Sequence, residues 1–238
     1  MRKKKHGEER LLAVSELLIK KEKGDKPYSD PAREIFGREG APVYLEIGAG
    51  KGGFANEMAK RNPNAVYIAM ERVSDCVVIA AEKASASKGE RADNLRFTVD
   101  SADNLTYIFD SGTVDKIFLN FSDPWTKKGY AKRRLTHKRY LSVYFNLLKD
   151  FGTVTFKTDN TALFDFTLGE LSEMGITPSF VTRDLHASER AEGNVMTEYE
   201  KNFSDMGMKI NMVEFSKPEG FNPEIEPGLS RSRERYGK

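Results

Sequence analysis

The segment Phe121–Leu135, FSDPWTKKGYAKRRL, gathers residue types that could act together on a base within a nucleic acid. Asp123 stands beside Pro124, whose ring restricts the turn that would present the carboxylate. Trp125, the only tryptophan, offers a flat face for stacking on a base, and core packing is its other ordinary use. Seven Lys or Arg and no acid lie between Thr126 and Tyr140, Lys127, Lys128 and the run Lys132-Arg133-Arg134 among them. A localised basic stripe is the usual electrostatic footprint for phosphate, although a solvated helix face has the same composition.

A second group of residues could hold a nucleoside cofactor. In Glu46-Ile47-Gly48-Ala49-Gly50-Lys51-Gly52-Gly53-Phe54, glycines allow a sharp turn and bring a ligand against bare backbone. Gly48, Gly50 and Gly53 satisfy G-x-G-x-x-G, the dinucleotide fingerprint. Gly48, Gly50 and Gly52 equally satisfy G-x-G-x-G, which S-adenosylmethionine enzymes use, so the turn alone leaves the cofactor open. Lys51 is followed by Gly52 rather than Ser or Thr, which excludes a P-loop. Glu71 follows the next apolar run, where a carboxylate can accept from both ribose hydroxyls and repels a 2′-phosphate. Glu46 would repel a pyrophosphate and suits the ammonium of a methionine tail, which favours S-adenosylmethionine. Asp100 or Ser101 could accept from the adenine amine, or simply cap a helix starting near Asp103. Asp159 is a further acid on the same rim, and Thr197-Glu198-Tyr199-Glu200 is another acidic group that also reads as a capping box.

These residues need a scaffold that brings strand ends together. Apolar runs at 43–47, 65–70, 95–99, 114–121, 152–158, 176–182 and 208–215 read as strands. Helical patterns lie between most of them, ending near Arg61 and covering about 74–87, 137–149 and 160–174. The alternation predicts an α/β fold, a doubly wound and mostly parallel seven-stranded sheet with helices on both faces and its site at the carboxyl ends of the strands. Residues 8–19 have helical spacing, and Asp30-Pro31 reads as an N-cap and first turn of a helix ending near Gly37. Three regions are expected: a basic arm with helices at 1–40, opened by Arg2, Lys3, Lys4 and Lys5; a catalytic domain at 41–216; and an irregular, mobile tail at 217–238 carrying three prolines.

The net charge of +2 places the positive charge locally rather than over the whole chain. Cys76 is the only cysteine and the three histidines are far apart, so no disulfide or metal site is expected. No apolar run approaches the roughly 20 residues of a spanning helix, and the basic N-terminus leads into Glu8 and Glu9 rather than an apolar signal region. A cytoplasmic location without a membrane partner is expected.

Taken together and in order, EIGAGKGGF, FSDPW followed by KRR, FKTDN and MTEYE resemble the bacterial tRNA (guanine-N7)-methyltransferases. The resemblance runs from about Val43 to Phe215. It implies a class I methyltransferase fold with an antiparallel last strand, S-adenosyl-L-methionine as cofactor and tRNA as partner. The implied reaction places a methyl on N7 of a guanine in the tRNA variable loop, by a monomer or homodimer. Implied cofactor contacts are Glu46, Glu71 and Asp123, within the turn of Gly48 and Gly50, with a third-strand contact at Ser101 and Asp100 one residue earlier. Implied substrate contacts are Lys127, Asp159 and Thr197, Glu198, Tyr199 and Glu200. The RNA-contacting loop falls on Gly129, Tyr130, Ala131, Lys132, Arg133 and Arg134. Tyr130 stands where the family often has histidine, and Gly129 replaces a common basic residue. The tail after Lys217 has no counterpart in the resemblance.

Three other readings compete. Ser122-Asp123-Pro124-Trp125 is similar to the acid/amide-Pro-Pro-aromatic loop of amino methyltransferases, which bind a planar nitrogen. A nicotinamide dehydrogenase would want a proton donor at a strand end, and no histidine stands there. A non-enzymatic RNA-binding module explains the basic run but not the glycine turn with Glu71.

Overall fold

A computed structural model describes residues 7–19, 21, 24–86, 93–227 and 229. The basic opening Arg2 to Lys5 lies outside the described residues, as do 228 and 230–238 of the tail. Seven strands form one sheet: β1 (Val43–Ile47), β2 (Val66–Glu71), β3 (Leu95–Val99), β4 (Val114–Asn120), β5 (Leu148–Thr158), β6 (Phe180–Thr182) and β7 (Asn211–Ser216). Their order is β3-β2-β1-β4-β5-β7-β6. β7 runs antiparallel to both β5 and β6, and the other pairs are parallel. The strand order reverses at β1, which pairs with β2 on one side and β4 on the other. In open α/β sheets a ligand crevice opens at the carboxyl ends flanking that switch.

Strand residues alternate between two cores, as a sheet covered on both faces requires. In β2, Val66, Ile68 and Met70 join one core while Tyr67 and Ala69 join the other. Helices α3 (Gly53–Arg61) and α4 (Ser74–Ala86) cover the second face through Phe54, Ala55, Val77, Ala80 and Ala81. Helices α5 (Leu105–Ile108), α6 (Lys138–Leu147) and α7 (Thr161–Glu173) cover the first through residues such as Leu105, Tyr144, Phe145 and Phe164.

The N-terminal helix is shorter than the spacing over 8–19 predicts. α1 spans Gly7–Ala13 and gives way to a 3-10 turn at Ser15–Leu17. Ile19 then donates its N–H to Phe97 O at 2.8 Å. β3 is an edge strand with unpaired backbone groups, and pairing with that edge wins over continuing the helix. Arg10 ties α1 to α4 through an ion pair with Glu82 at 2.6 Å. α2 (Pro31–Phe36) forms as its cap signals predict, with the Asp30 side chain accepting from Arg33 N and Gly37 closing it at φ 67°.

β5 and β6 differ most in extent from the runs read in sequence. β5 begins four residues before Gly152, with a register shift against β4 between Val114 and Lys116. β6 covers only Phe180–Thr182, because the chain from Gly175 is still closing α7: Ile176 donates to Leu171 O at 2.9 Å.

The described residues of the tail form no helix or strand after Lys217, and several of its apolar side chains pack on the domain. Phe221 and Ile225 lie against the first core, and Leu229 is buried with its carbonyl accepting from Thr106 Oγ1 at 2.7 Å. Apolar residues among the prolines supply a docking face that composition alone conceals.

Candidate cofactor and base-binding crevice

The turn after β1 (48–52) is pinned to β2, since Gly48 N and Ala49 N both donate to Met70 O at 2.9 and 3.0 Å. Gly48, Gly50 and Gly52 have φ of 84°, 53° and 72°, a region costly for other residues. A Cβ on Gly52 would also lie 2.6 Å from Ala80 Cβ, so glycine there lets the turn pack on α4. Gly53 has helical backbone with room for a side chain, its nearest neighbour at 3.5 Å being Glu198. The structural constraint therefore follows G-x-G-x-G and does not need the last glycine of the dinucleotide fingerprint.

Glu71 closes over this turn. One carboxylate oxygen accepts from Gly50 N at 3.1 Å and the other from Val73 N at 2.9 Å. Glu46, the next-to-last residue of β1, is 1% exposed. Its Oε1 accepts from Asn120 Nδ2 at 3.0 Å, whereas Oε2 is buried without a hydrogen-bond partner among the described residues. Burial pushes the Glu46 carboxyl up to about 7, against the opposing Asn120 hydrogen bond, the Lys157 charge and the neighbouring Tyr67 hydroxyl, with the Glu71 charge adding to the rise. An orphaned buried acceptor beside the glycine turn suits an incoming ammonium, which would satisfy Oε2 and favour the ionised carboxylate. This acceptor thus fits the methionine end of S-adenosylmethionine.

Two cavities meet here and share Gly48, Asn120 and Phe121. The larger, about 520 Å³, is lined by Glu71, Asp100, Ser101, Asp123, Trp125 and Arg133, with other residues of the same strand ends. The smaller, about 340 Å³, holds Glu46, Gly50, Thr197, Glu198 and Tyr199. Asp100 Oδ1 accepts from Ser101 N and from Asn104 Nδ2, both at 2.7 Å, and Ser101 Oγ accepts from Asp103 N at 3.3 Å. Ser101 is the N-cap of a 3-10 turn at Ala102–Asn104, so the capping role read from the sequence is occupied while both residues still line the cavity.

At the end of β4 the backbone takes left-handed φ at two bulky residues, 52° at Phe121 and 42° at Trp125. Arg134 holds this loop, donating from Nε to Pro124 O at 3.0 Å and from Nη2 to Trp125 O at 3.3 Å, with its guanidinium over the Phe166 ring at 4.3 Å. Expected as an RNA contact, Arg134 is turned inward and half-buried, because the strained loop supplies carbonyls that need a donor. Asp123 is exposed at the cavity mouth and lies 3.8 Å from Arg72 Nη2.

Lys128, Lys132 and Arg133 lie on a 3-10 segment, Lys128–Arg133, with Lys127 at its N-cap. Lys127, Gly129, Tyr130 and Lys132 are exposed and Ala131 is half-buried. Lys132 Nζ is 3.6 Å from Glu226 of the tail, which also takes Arg139 at 3.0 Å. Asp159 follows β5 but lines neither cavity; with burial as the larger cause, its charge raises the Tyr199 hydroxyl.

Glu200, expected as a substrate contact, is buried and fully engaged with its neighbours. It is 0% exposed in helix α8 (Glu198–Asp205), whose capping box joins Thr197 and Glu200 in both directions. Its Oε2 accepts from Lys157 Nζ at 2.6 Å and its Oε1 from His186 Nε2 at 2.9 Å. Burial opposes the charge on Glu200, but the Lys157 ion pair and the hydrogen bonds from Lys157, His186 and Asn194 outweigh it and hold the carboxyl below its ordinary value. The capping-box signature was visible in sequence, whereas nothing there paired Glu200 with Lys157. Asn120, Arg72 and Tyr140 also line the large cavity without having been singled out. A polar residue ending an apolar strand was the available signal for Asn120.

Solved structures share this architecture. An antibiotic-related methyltransferase matches with a TM-score of 0.60 at 20% identity, covering 84% of this chain and 98% of that one. The 16S rRNA methyltransferase KamB gives 0.60 at 14% identity over 81% and 95%. The 16S rRNA (adenine(1408)-N(1))-methyltransferase of Catenulisporales acidiphilia, solved with cosubstrate SAM, gives 0.55 at 14% identity over 85% and 98%. The fold is that of the class I S-adenosylmethionine-dependent methyltransferases.

Sequence comparison narrows the class. A family profile described as "Putative methyltransferase" matches residues 40–213. The tRNA (guanine-N(7)-)-methyltransferase of Bacillus cytotoxicus (strain DSM 22905 / CIP 110041 / 391-98 / NVH 391-98) is 43% identical over 182 residues, 76% of this chain and 82% of that protein. The chain belongs to the tRNA (guanine-N7)-methyltransferase family.

Proposed function

We propose that this protein transfers the methyl of S-adenosylmethionine to N7 of a guanine in the variable loop of tRNA, and that it does so in the cytoplasm. Among the described residues no helix is long and apolar enough to cross a membrane. The observation that carries the reading is a pair of neighbouring cavities that share Gly48, Asn120 and Phe121. Glu46 and Glu71 stand at the glycine turn, and Asp123 and Trp125 line the larger cavity.

S-adenosylmethionine supplies a methyl made electrophilic by its sulfonium. The chain holds the reactants: Glu46 takes the ammonium, Glu71 the ribose hydroxyls, and the Asp100-Ser101 corner the adenine. Guanine N7 has a lone pair and no proton, so no side chain has to act as a base. Catalysis is then mostly positioning of the methyl against N7. Positive charge moves onto the purine, and a carboxylate at Asp123 stabilises the transition state more than the neutral base. A carboxylate accepting from guanine N1–H and N2–H would also reject adenine, which lacks that donor pair. N7 must be reached with the base out of its stack, and the exposed strip from Lys127 to Arg133 supplies cations for the RNA backbone.

Incubating unmodified tRNA with the protein and methyl-labelled S-adenosylmethionine, then digesting to nucleosides, tests the reading. Label in 7-methylguanosine is expected. Label in an N-methylated exocyclic amine instead would assign the chain another acceptor.

A further inference from the structure

We propose that the indole face of Trp125 is the seat of the target guanine, that Arg133 fills this seat in the free protein, and that Trp125 stabilises the purine as it becomes cationic. The proposal rests on the N7 reading above and adds a residue and a switch to it.

Three observations meet at this ring. The backbone of Trp125 is strained, with φ 42°, and Arg134 holds that strain through the carbonyls of Pro124 and Trp125. Strain held at a loop beside a cavity marks a side chain presented for use. The presented indole lines the 520 Å³ cavity together with Asp123. Its face also holds a cation already. The Arg133 guanidinium is centred 5.0 Å from the Trp125 ring and 4.6 Å from the Tyr130 ring, and the two rings meet edge to face at 5.9 Å.

A guanidinium and a 7-methylated guanine are both flat, delocalised cations, whereas unmethylated guanine is neutral. The ring quadrupole that holds the first will favour the second over the third. As the N7–methyl bond forms and the sulfur–methyl bond breaks, sulfur leaves as a neutral thioether and the positive charge passes to the purine. The attraction to Trp125 therefore grows toward the transition state, which is the condition for it to accelerate the step. Arg133, displaced from the ring, is free to reach an RNA phosphate on the same exposed segment.

Trp125 is the only tryptophan in the chain, so its emission reports this site alone. The complex with S-adenosylhomocysteine is titrated with guanosine and with 7-methylguanosine, at a mildly acidic pH where the methylated ring is cationic. Half-quenching by 7-methylguanosine is expected at a concentration about threefold to thirtyfold lower than by guanosine. Arg133→Ala, which vacates the ring, should bind both nucleosides more tightly than the parent. In single turnovers at saturating tRNA, Trp125→Leu should be slower by about threefold to thirtyfold, with Trp125→Phe between and S-adenosylhomocysteine affinity unchanged in both. Equal quenching by the two nucleosides overturns the proposal, as does Trp125→Leu turning over at the parent rate. That last result, with 7-methylguanosine still formed, leaves the N7 reading standing. Absence of 7-methylguanosine with the parent protein removes both.

Discussion

Lys157 on β5 and Glu200 on α8 form a buried ion pair, Nζ to Oε2 at 2.6 Å, with the two residues 2% and 0% exposed. The pair joins the end of the sheet to the segment that carries Thr197, Glu198 and Tyr199 into the smaller cavity. Nζ also donates to Val195 O and Asn194 Oδ1 at 2.9 and 3.1 Å. Removing one partner strands a buried charge, so Glu200→Ala should lower unfolding stability by about 3–5 kcal/mol. Replacing both residues with methionine should cost much less than the sum of the single changes. Guanidinium denaturation measures both, and additive losses would show that the two residues do not act as a pair.

Glu46 gives a pH dependence. Its carboxyl is raised to about 7, so the stability it contributes is fully present below its unfolded value and is lost as pH rises through 7. Glu46→Gln should therefore be more stable than the parent at pH 8, by about 1–3 kcal/mol, with little difference at pH 4.5. Ligand binding runs the other way, because an ammonium needs the ionised carboxylate. Affinity for S-adenosylhomocysteine should rise as pH increases from 6 to 8, with proton release near pH 7. Calorimetry in buffers of different ionisation enthalpy reads that release, and none is expected in Glu46→Gln.

Glu71 makes two backbone hydrogen bonds that shape the glycine turn as well as offering its carboxylate to a ribose. Glu71→Ala should weaken S-adenosylhomocysteine binding by about 1–3 kcal/mol. Undiminished binding would remove Glu71 from the site.

The doubly wound, mostly parallel sheet and most element limits were legible because apolar strands alternate with helical segments along the chain. β1 and β3 fall on the runs at 43–47 and 95–99. The glycine turn, and the placing of Glu71 and Asp123 at or just beyond strand ends beside one cavity, were legible because local backbone and charge mark those positions. What escaped was set by contacts across long stretches of chain. Lys157 meets Glu200 over 43 residues and Asn120 meets Glu46 over 74, and neither has a local signature. The contacts of Arg134 with the loop escaped in the same way. Within a basic run its charge looks like that of its neighbours, and only the strained carbonyls at Pro124 and Trp125 separate it from them.

That separation divides the basic run. Lys127 and Lys132 are exposed, so replacing both with alanine should raise the tRNA Michaelis constant and reduce the slope of log affinity against log salt by about 0.7–0.9 for each lost phosphate contact. Arg134→Ala should instead loosen the Asp123 loop, lowering turnover and thermal stability with a smaller change in salt slope. Salt titrations of tRNA binding compare the two variants. An unchanged slope in the lysine variant would make those residues a solvated surface only.

Asp123 carries the central claim, methyl transfer to an atom that has no proton to lose. It stands at the mouth of the large cavity, paired with Arg72 at 3.8 Å between exposed side chains. The deciding measurement is single-turnover methylation of tRNA by Asp123→Asn, with and without imidazole or formate. The account predicts a barrier higher by about 2–4 kcal/mol, nearly unchanged tRNA binding and no acceleration by either added base. Rescue by imidazole or formate acting as a base would contradict it, since Asp123 would then remove a proton and the acceptor would be an exocyclic amine rather than N7.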